Sequence, residues 1–463
     1  MKKISPLLRL LAIYFLLSIT TLFSWHHSSR NNVTGDEPHY LVMASGIAQY
    51  KTFEQTLPYQ EEFKTHQIYK AGLTNSDEKP SSKNTHAQQG PHGLFSIHNI
   101  GLPLLLAFPF LCAGVMGAKI TMILLNGLLV VIAWKISALF SNKKNVRFFS
   151  VLATCIAFPL IPGSNQVFPD MLVGSICLSA LYWLMTIDKK RSFIKEILWM
   201  CGIAFLPWLQ IKFAATSIIL FFAIALKTGR LSRKLKKPFV FFGILIFSFS
   251  LLALYNEYAF GKISGPYTGG ALVINKTAFM VFIGLLLDQN QGFLMQNLIA
   301  FVGLFFVGKF YFRYRSITWL LGLIFLSLII PNALHPNWYG GWSFSGRFEW
   351  SGATTWMLMT LFGLAELARF HQNIYRTVIS ISLAWQTYLF YRYVFQGPGL
   401  YNKSASTDFN HYSTFYGKMH SSLPALYNSD WAYAYIPNYA WSIVVILIII
   451  ISCFFAYKKT RAI

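Results

Sequence analysis

Long apolar runs alternate along this chain with short basic or polar connections. An apolar run of about 17–25 residues has the length of a membrane-crossing helix. The runs fall at 7–25, 119–140, 147–162, 171–187, 195–207, 213–227, 238–256, 290–308, 316–331, 350–369, 374–392 and 438–456. The pattern predicts an all-α polytopic membrane protein with about twelve transmembrane helices, in a range of about eleven to fourteen. Two further apolar stretches, 100–117 and 275–287, do not fit this count. If either crossed alone, every later connection would change sides. Both are therefore expected to be re-entrant or interfacial helices on the outer face. Such segments are tolerated where protein or water covers the backbone.

The connections fix the expected orientation. Basic clusters lie between apolar runs, at Lys143-Lys144 and Arg147, Lys189–Arg191, Lys227–Lys237, Lys309–Arg315, Arg369 and Arg376, and Lys458–Arg461. That is the positive-inside pattern of cytoplasmic loops. The formal charge of +23 therefore reports topology, and no nucleic-acid partner is expected. Both termini are expected in the cytoplasm, with the chain in a bacterial inner (plasma) membrane. The first run follows Lys2 and Lys3 and has no small-residue cleavage site after it, so it reads as a retained span. The composition agrees: 12% of residues are charged, against about 25% in soluble proteins.

Residues 1–463 form a single membrane domain on this reading. Its large outer segments are 26–99, 257–289, 332–349 and 393–437. The first of them carries an acidic motif, and its stretch "TNSDEKPSSKNTHAQQG" (74–90) reads as a flexible loop or lid. Of the eleven histidines, all but His371 fall on the outer side. Of the sixteen acids, all but Asp188, Glu196 and Glu366 do so. Polar chemistry gathered on one face fits an active site or a ligand mouth opening outward. The five cysteines are dispersed singly, with no metal-type spacing.

Several outer stretches carry candidate chemistry. In "TGDEPHYL" (34–41), Thr34 and Glu37 form a Thr-x-x-Glu capping box, and Pro38 suits a first helical turn. The box accounts for Glu37 but not for Asp36 or His39. A helix starting here brings His39 and Tyr40 onto the face of Asp36. A carboxylate beside an imidazole suits a general base or a metal ligand. Asp170 in "FPDMLVGS" is a single carboxylate at the membrane boundary, where charge is costly. Lys212 and Gln210 occupy the outer rim of a kinked hairpin. Asp288 and Gln289 end another apolar run, and His98 heads the stretch "HNIGLPLLLAFPF". In "HPNWYGGWSFSGRFEW" (335–350), His335, Trp342 and Arg347 stand among glycines. Glycine lets a backbone approach a ligand, and arginine matches phosphate bidentately.

In order and expected side, these stretches resemble the GT-C superfamily of membrane glycosyltransferases. Protein O-mannosyltransferases, aminoarabinose transferases and oligosaccharyltransferase catalytic subunits belong to it. The likeness runs from about residue 7 to 370. It implies a polyprenyl-phosphate-linked donor sugar and an extracytoplasmic acceptor, which is a lipid-linked glycan, a lipid or a cell-wall polymer. It implies that Asp36 deprotonates the acceptor hydroxyl or helps hold a divalent metal (Mg or Mn), with Asp170 as the second acidic position. Attack on the sugar carbon opposite the departing phosphate gives inversion. Arg347 or Lys212 would stabilise that phosphate, and Glu37 would support Asp36. Two departures stand out. A WWDYG-like motif is absent, which disfavours asparagine glycosylation. The Lys-Pro-Pro-Leu-like block is replaced by His98 and Gly101-Leu102-Pro103.

Two other functions compete. A transporter or flippase of lipid-linked saccharides predicts ionisable residues at mid-membrane depth and internal repeats. No repeat is detectable, and Lys135 and Glu366 lie near cytoplasmic ends. A glycan polymerase or ligase predicts arginines and a histidine in a late outer loop. Residues 393–437 hold His411 and His420 but no arginine beyond Arg392 at the edge.

Overall fold

The computed structural model describes residues 4–28, 33–187, 192–232, 236–267, 272–335, 340, 343–395, 416–426 and 433–461. The helices in chain order are α1 (Pro6–Ser28), α2 (Glu37–Ser45), α3 (Thr56–Thr65), α4 (Gly101–Phe140), α5 (Lys144–Cys155), α6 (Leu160–Gly163), α7 (Asp170–Met185) and α8 (Phe193–Ala204). Then follow α9 (Leu206–Leu209), α10 (Ala214–Ser232), α11 (Lys236–Phe260), α12 (Lys276–Leu287), α13 (Phe293–Gln296), α14 (Phe301–Phe305), α15 (Val307–Arg313), α16 (Arg315–Ala333), α17 (Trp350–Phe370) and α18 (Gln372–Phe395). The last, α19, is Ile436–Arg461. One antiparallel hairpin, β1 (Ala87–Gly90) and β2 (Gly93–Ser96), interrupts the first outer segment.

The chain is an integral membrane protein, all-α and polytopic. Among the described residues six helices are long and apolar enough to cross a membrane: Pro6–His27, Gly101–Phe140, Ile211–Gly229, Lys236–Phe260, Arg315–Ala333 and Ile436–Lys458. The other expected spans are present as shorter or more polar helices. Two depart from expectation. The run 290–308 is not one helix but short pieces, broken at Asn297 and Phe306. The run 147–162 ends as a helix at Cys155 and continues in the one-turn α6.

The stretch expected to re-enter is joined to the next span in α4, with non-helical backbone at Ala113 and Gly114. There the Pro109 carbonyl lies against Gly117. In a straight helix those residues would stand about 12 Å apart, so the chain folds back sharply. The arm before the kink, about 18 Å long, is shorter than the roughly 30 Å hydrocarbon layer. The same arithmetic applies to the twelve residues of α12.

α17 is the centre of the bundle and is buried along almost its whole length. It packs on α4, α5, α7 and α14. Without a hydrophobic drive between helices in lipid, close approach relies on small residues. Gly174 of α7 supplies it: a Cβ there would stand 2.6 Å from the Thr354 side chain and 2.8 Å from the Ser351 carbonyl. Gly174→Val is expected to destabilise the protein by about 1–3 kcal/mol through overpacking. Gly202→Val, at a position facing open space, is expected to leave the unfolding temperature in detergent unchanged.

Candidate active site

The "GDEPHYL" stretch enters its helix through Gly35, whose φ of +58° favours glycine. Asp36 is the N-cap residue of α2 but makes no side-chain cap bond. Its carboxylate points outward, 26% exposed. Glu37, the first residue of α2, turns inward and is fully buried. The Glu37 carboxylate accepts from Lys119 Nζ at 2.8 Å, from the Val167 N–H at 2.7 Å and from the Thr34 N–H at 2.8 Å. The last of these is the Thr34–Glu37 contact of the expected capping box, but the N-cap is Asp36 and not Thr34, so the contact closes the turn before α2 rather than capping it. The other two are not a cap. They tie α2 to α4 and to the loop before α7. The expected role of Glu37 as a helix-start acid is thus only part of its task.

Asp36 meets Arg347. The guanidinium Nη1 donates to Asp36 Oδ2 at 2.9 Å. Arg347 is brought there by Gly346, at φ +78°, which turns the chain into a 3-10 turn, Arg347–Glu349. The Gly346 N–H donates to Gln291 Oε1 at 2.9 Å. The guanidinium lies over Phe168, 4.2 Å from its ring centre, and 5.0 Å from that of Phe348. Its Nε is buried without a hydrogen-bond partner among the described residues. A second pair adjoins the first. Lys212 Nζ donates to Asp170 Oδ1 at 3.1 Å and to Asn332 Oδ1 at 3.0 Å, and lies 4.7 Å from the Phe348 ring centre. Phe348 thus lies beside two cations, each held by its own carboxylate.

Imidazoles complete the mouth. The β1–β2 hairpin pairs Ala87 with Ser96, and the Ile97 N–H donates to the His86 carbonyl. His86 and His98 therefore face each other across its base. His86 Nδ1 lies 3.1 Å from His98 Nε2 and 3.7 Å from Asp36 Oδ1. Asp36, His86 and His98 offer ligand atoms all within 4.8 Å of one another, the spacing of a metal site. His39 does not join them. Its Nδ1 bonds to the Tyr59 hydroxyl at 2.7 Å, and its ring stacks 3.7 Å from that of His86.

The electrostatics follow from this packing. Burial pushes the Asp36 carboxyl up, but Arg347 above all, with His98 and His86, reverses the shift and holds it well below the usual carboxylate range. Burial lowers His98 to about 4 and lowers His86 too, each opposed by Asp36. Burial also holds His39 far below its ordinary value. His335 is lowered by burial and then by Lys212 and Arg347, which puts it at the edge of the same cluster.

Of the residues expected from sequence, Asp36, His98, Asp170, Lys212, His335 and Arg347 come together. Three expectations need correction. Asp170 does not share a cation site with Asp36, because its carboxylate is taken by Lys212. Asp288 is fully buried and accepts from the backbone N–H groups of Asn290, Gln291 and Leu426. Gln289 donates to the His420 carbonyl, and its own carbonyl accepts from Tyr416. Both build the turn that carries Gln291 to Gly346. Trp342 lies outside the described residues. Two participants were missed. His86 sits in the stretch read as a flexible lid, where a Gly-Pro-His-Gly turn (90–93) was the available signal. Lys119 opens the apolar run 119–140, where a charge at the head of the span was the signal.

Searched against solved structures, the chain is similar to ArnT from Cupriavidus metallidurans, an aminoarabinose transferase of GT-C fold, in two states. The form bound to undecaprenyl phosphate aligns over 97% of this chain and 75% of that one, at 12% identity and a TM-score of 0.54. The apo form aligns over 96% and 75%, at 12% identity and a TM-score of 0.51. This chain has the GT-C fold. No family model and no curated protein matches it.

Two stability predictions follow from the carboxylates. Glu37→Gln breaks a buried ion pair and is expected to cost about 3–5 kcal/mol, whereas Asp36→Asn, at a side chain 26% exposed and with an amide oxygen still able to accept from Arg347, is expected to cost less. Thermal unfolding in detergent separates them. Glu349 is fully buried with both carboxyl oxygens unpartnered among the described residues, and burial holds it well above its ordinary value of 4.5. Folded protein therefore keeps a proton that the unfolded chain releases, and stability falls as pH rises above 4.5. Glu349→Gln is expected to raise the unfolding temperature more at about pH 8 than at about pH 5.

Proposed function

We propose that the chain is a membrane glycosyltransferase that moves a hexosyl or pentosyl group from a polyprenyl-phosphate donor to an acceptor hydroxyl on the extracytoplasmic face. The observation that carries this reading is the Asp36–Arg347 pair at a partly open mouth, with an Arg347 Nε unpartnered among the described residues beside it. The undecaprenyl phosphate bound by the ArnT of the same fold supports the lipid class of the donor.

The chemistry needs a base on one side of the sugar carbon and charge stabilisation of the leaving phosphate on the other. Asp36 supplies the first, and Arg347 with Lys212 the second. The two groups start out paired, and that pairing has a use. A carboxylate held by a guanidinium is a weak base. When the donor phosphate takes Arg347, the partner of Asp36 is withdrawn and its affinity for a proton rises. Asp36 then accepts the acceptor hydroxyl proton as the oxygen attacks the sugar carbon. The carbon–phosphate-oxygen bond breaks on the opposite face, which inverts the centre. Asp170 keeps Lys212 at the phosphate side, and His335 lines the same edge. Glu37 positions Asp36 by anchoring the helix that follows it. The acceptor is a lipid-linked glycan, a lipid or a cell-wall polymer.

The cation place, in this reading, is Asp36, His86 and His98 rather than the two aspartates. Two imidazoles and one carboxylate suit zinc and its neighbours better than Mg or Mn, which favour oxygen ligands. Such an ion would supply Lewis acidity at the mouth, and the step above is that of Asp36 with no ion on its carboxylate.

Lipid-linked sugar transfer by purified protein in vesicles tests the reading. Asp36→Asn is expected to slow transfer about 10²–10⁴-fold with the unfolding temperature nearly unchanged. His86→Gln is expected to retain transfer while losing zinc binding read by calorimetry. Wild-type turnover in Asp36→Asn would remove Asp36 as the base. Loss of transfer in His86→Gln, restored by excess zinc, would replace the base with a metal-dependent step.

A further inference from the structure

A second cavity, of about 1110 Å³, lies at the far end of α17 from Arg347. Its wall is apolar and open to lipid, with Phe301, Phe305, Phe306, Phe370, Ile374 and Phe455 contributing. α14 and α15, which follow the break at Asn297 in the run 290–308, form one side, and α17, α18 and α19 form the rest. One end of this groove alone is charged. Lys309 Nζ contacts the Glu366 carboxylate, and Arg313 Nη1 lies 3.4 Å from Glu366 Oε1. Lys309 also lies over Phe370, 4.2 Å from its ring centre. Glu366 is almost covered, with its side chain 6% exposed, while Lys309 and Arg313 keep 34% and 49% of theirs open. His371 stands at the same end.

We propose that this groove binds an anionic phospholipid of the leaflet opposite the Asp36 site, with acyl chains along the aromatic wall and the phosphate at Lys309 and Arg313. Charge complementarity decides the occupant. Two cations share one carboxylate, which leaves the mouth net positive, and both remain partly open to a further anion. Basic pockets between membrane helices at that surface select anionic head groups, and each basic side chain is worth about a fivefold gain. A zwitterionic lipid would bring its own cation to an already positive mouth. A second copy of this chain would have to bury the open ammonium and guanidinium. The distance from Arg347 to Glu366 along the helix is roughly 28 Å, the thickness of the hydrocarbon layer, so the groove lies at the other surface.

Native mass spectrometry of the full chain with phosphatidylglycerol and phosphatidylcholine tests this. Phosphatidylglycerol is expected to remain bound where phosphatidylcholine is stripped. The Lys309→Gln, Arg313→Gln, Glu366→Gln triple variant leaves no buried charge unpaired and is expected to lower phosphatidylglycerol retention about 5–25-fold. Glu366→Gln alone frees both cations and is expected to raise it, a gain that a purely structural ion pair would not produce. Equal retention of the two lipids overturns the proposal. So does unchanged or weaker phosphatidylglycerol binding in Glu366→Gln. Displacement of phosphatidylglycerol by equimolar polyprenyl phosphate assigns the groove to the donor lipid and overturns it as well.

Discussion

The buried carboxylate of Glu37 holds the rest in place. It joins three separate parts of the chain, the α2 start, Lys119 of α4 and the loop at Val167. A buried ion pair is weak evidence for stability, since desolvation offsets much of the attraction. What it supplies here is position. With its oxygens satisfied by fixed donors, Glu37 can adopt one arrangement, and the residue before it is fixed with it. Asp36 therefore faces the mouth because Glu37 cannot. Phe168 follows Val167 in the same loop and becomes the floor under the Arg347 guanidinium. One carboxylate thus sets both members of the neighbouring pair.

Two adjacent ion pairs with opposite surroundings divide the labour of the site. Glu37–Lys119 is closed, with side-chain exposures of 0% and 1%. Asp36–Arg347 is partly open and keeps one donor unused. A closed pair resists any exchange of partner, because an intruding anion would have to be desolvated completely. An open pair can trade its carboxylate for a phosphate at little cost. The ring of Phe348 lies within about 5 Å of both cations, 4.7 Å from Lys212 Nζ and 5.0 Å from the Arg347 guanidinium.

Much of this was legible in the sequence. The periodic apolar runs predict the helices, and the concentration of acids and histidines on one side predicts the mouth. "GDEPHYL" and "SGRFEW" are separated by about 300 positions, and both were singled out by residue type. Their direct contact was not legible, because a bond across 311 positions is set by packing alone. Asp288 shows the converse error. A charged residue at the end of an apolar run looks like a site residue, yet its oxygens are consumed by three backbone N–H groups. Nothing in the local sequence distinguishes those cases. His86 was hidden in a polar stretch whose strands are only four residues each, too short for alternation to register. The breaks in the run 290–308 were hidden for the opposite reason, since Asn297 is the only polar interruption after Gln296 in a strongly apolar stretch.

α17 begins beside Arg347 and ends beside Glu366 without a break. It works as a ruler laid across the bilayer, with a cationic place at each end. A lipid phosphate is anchored at the surface of one leaflet. On the two lipid assignments proposed above, no single phosphate would serve both ends, and the two places would draw on separate pools. The composition of one leaflet would then change while the supply of ligand to the other stayed constant.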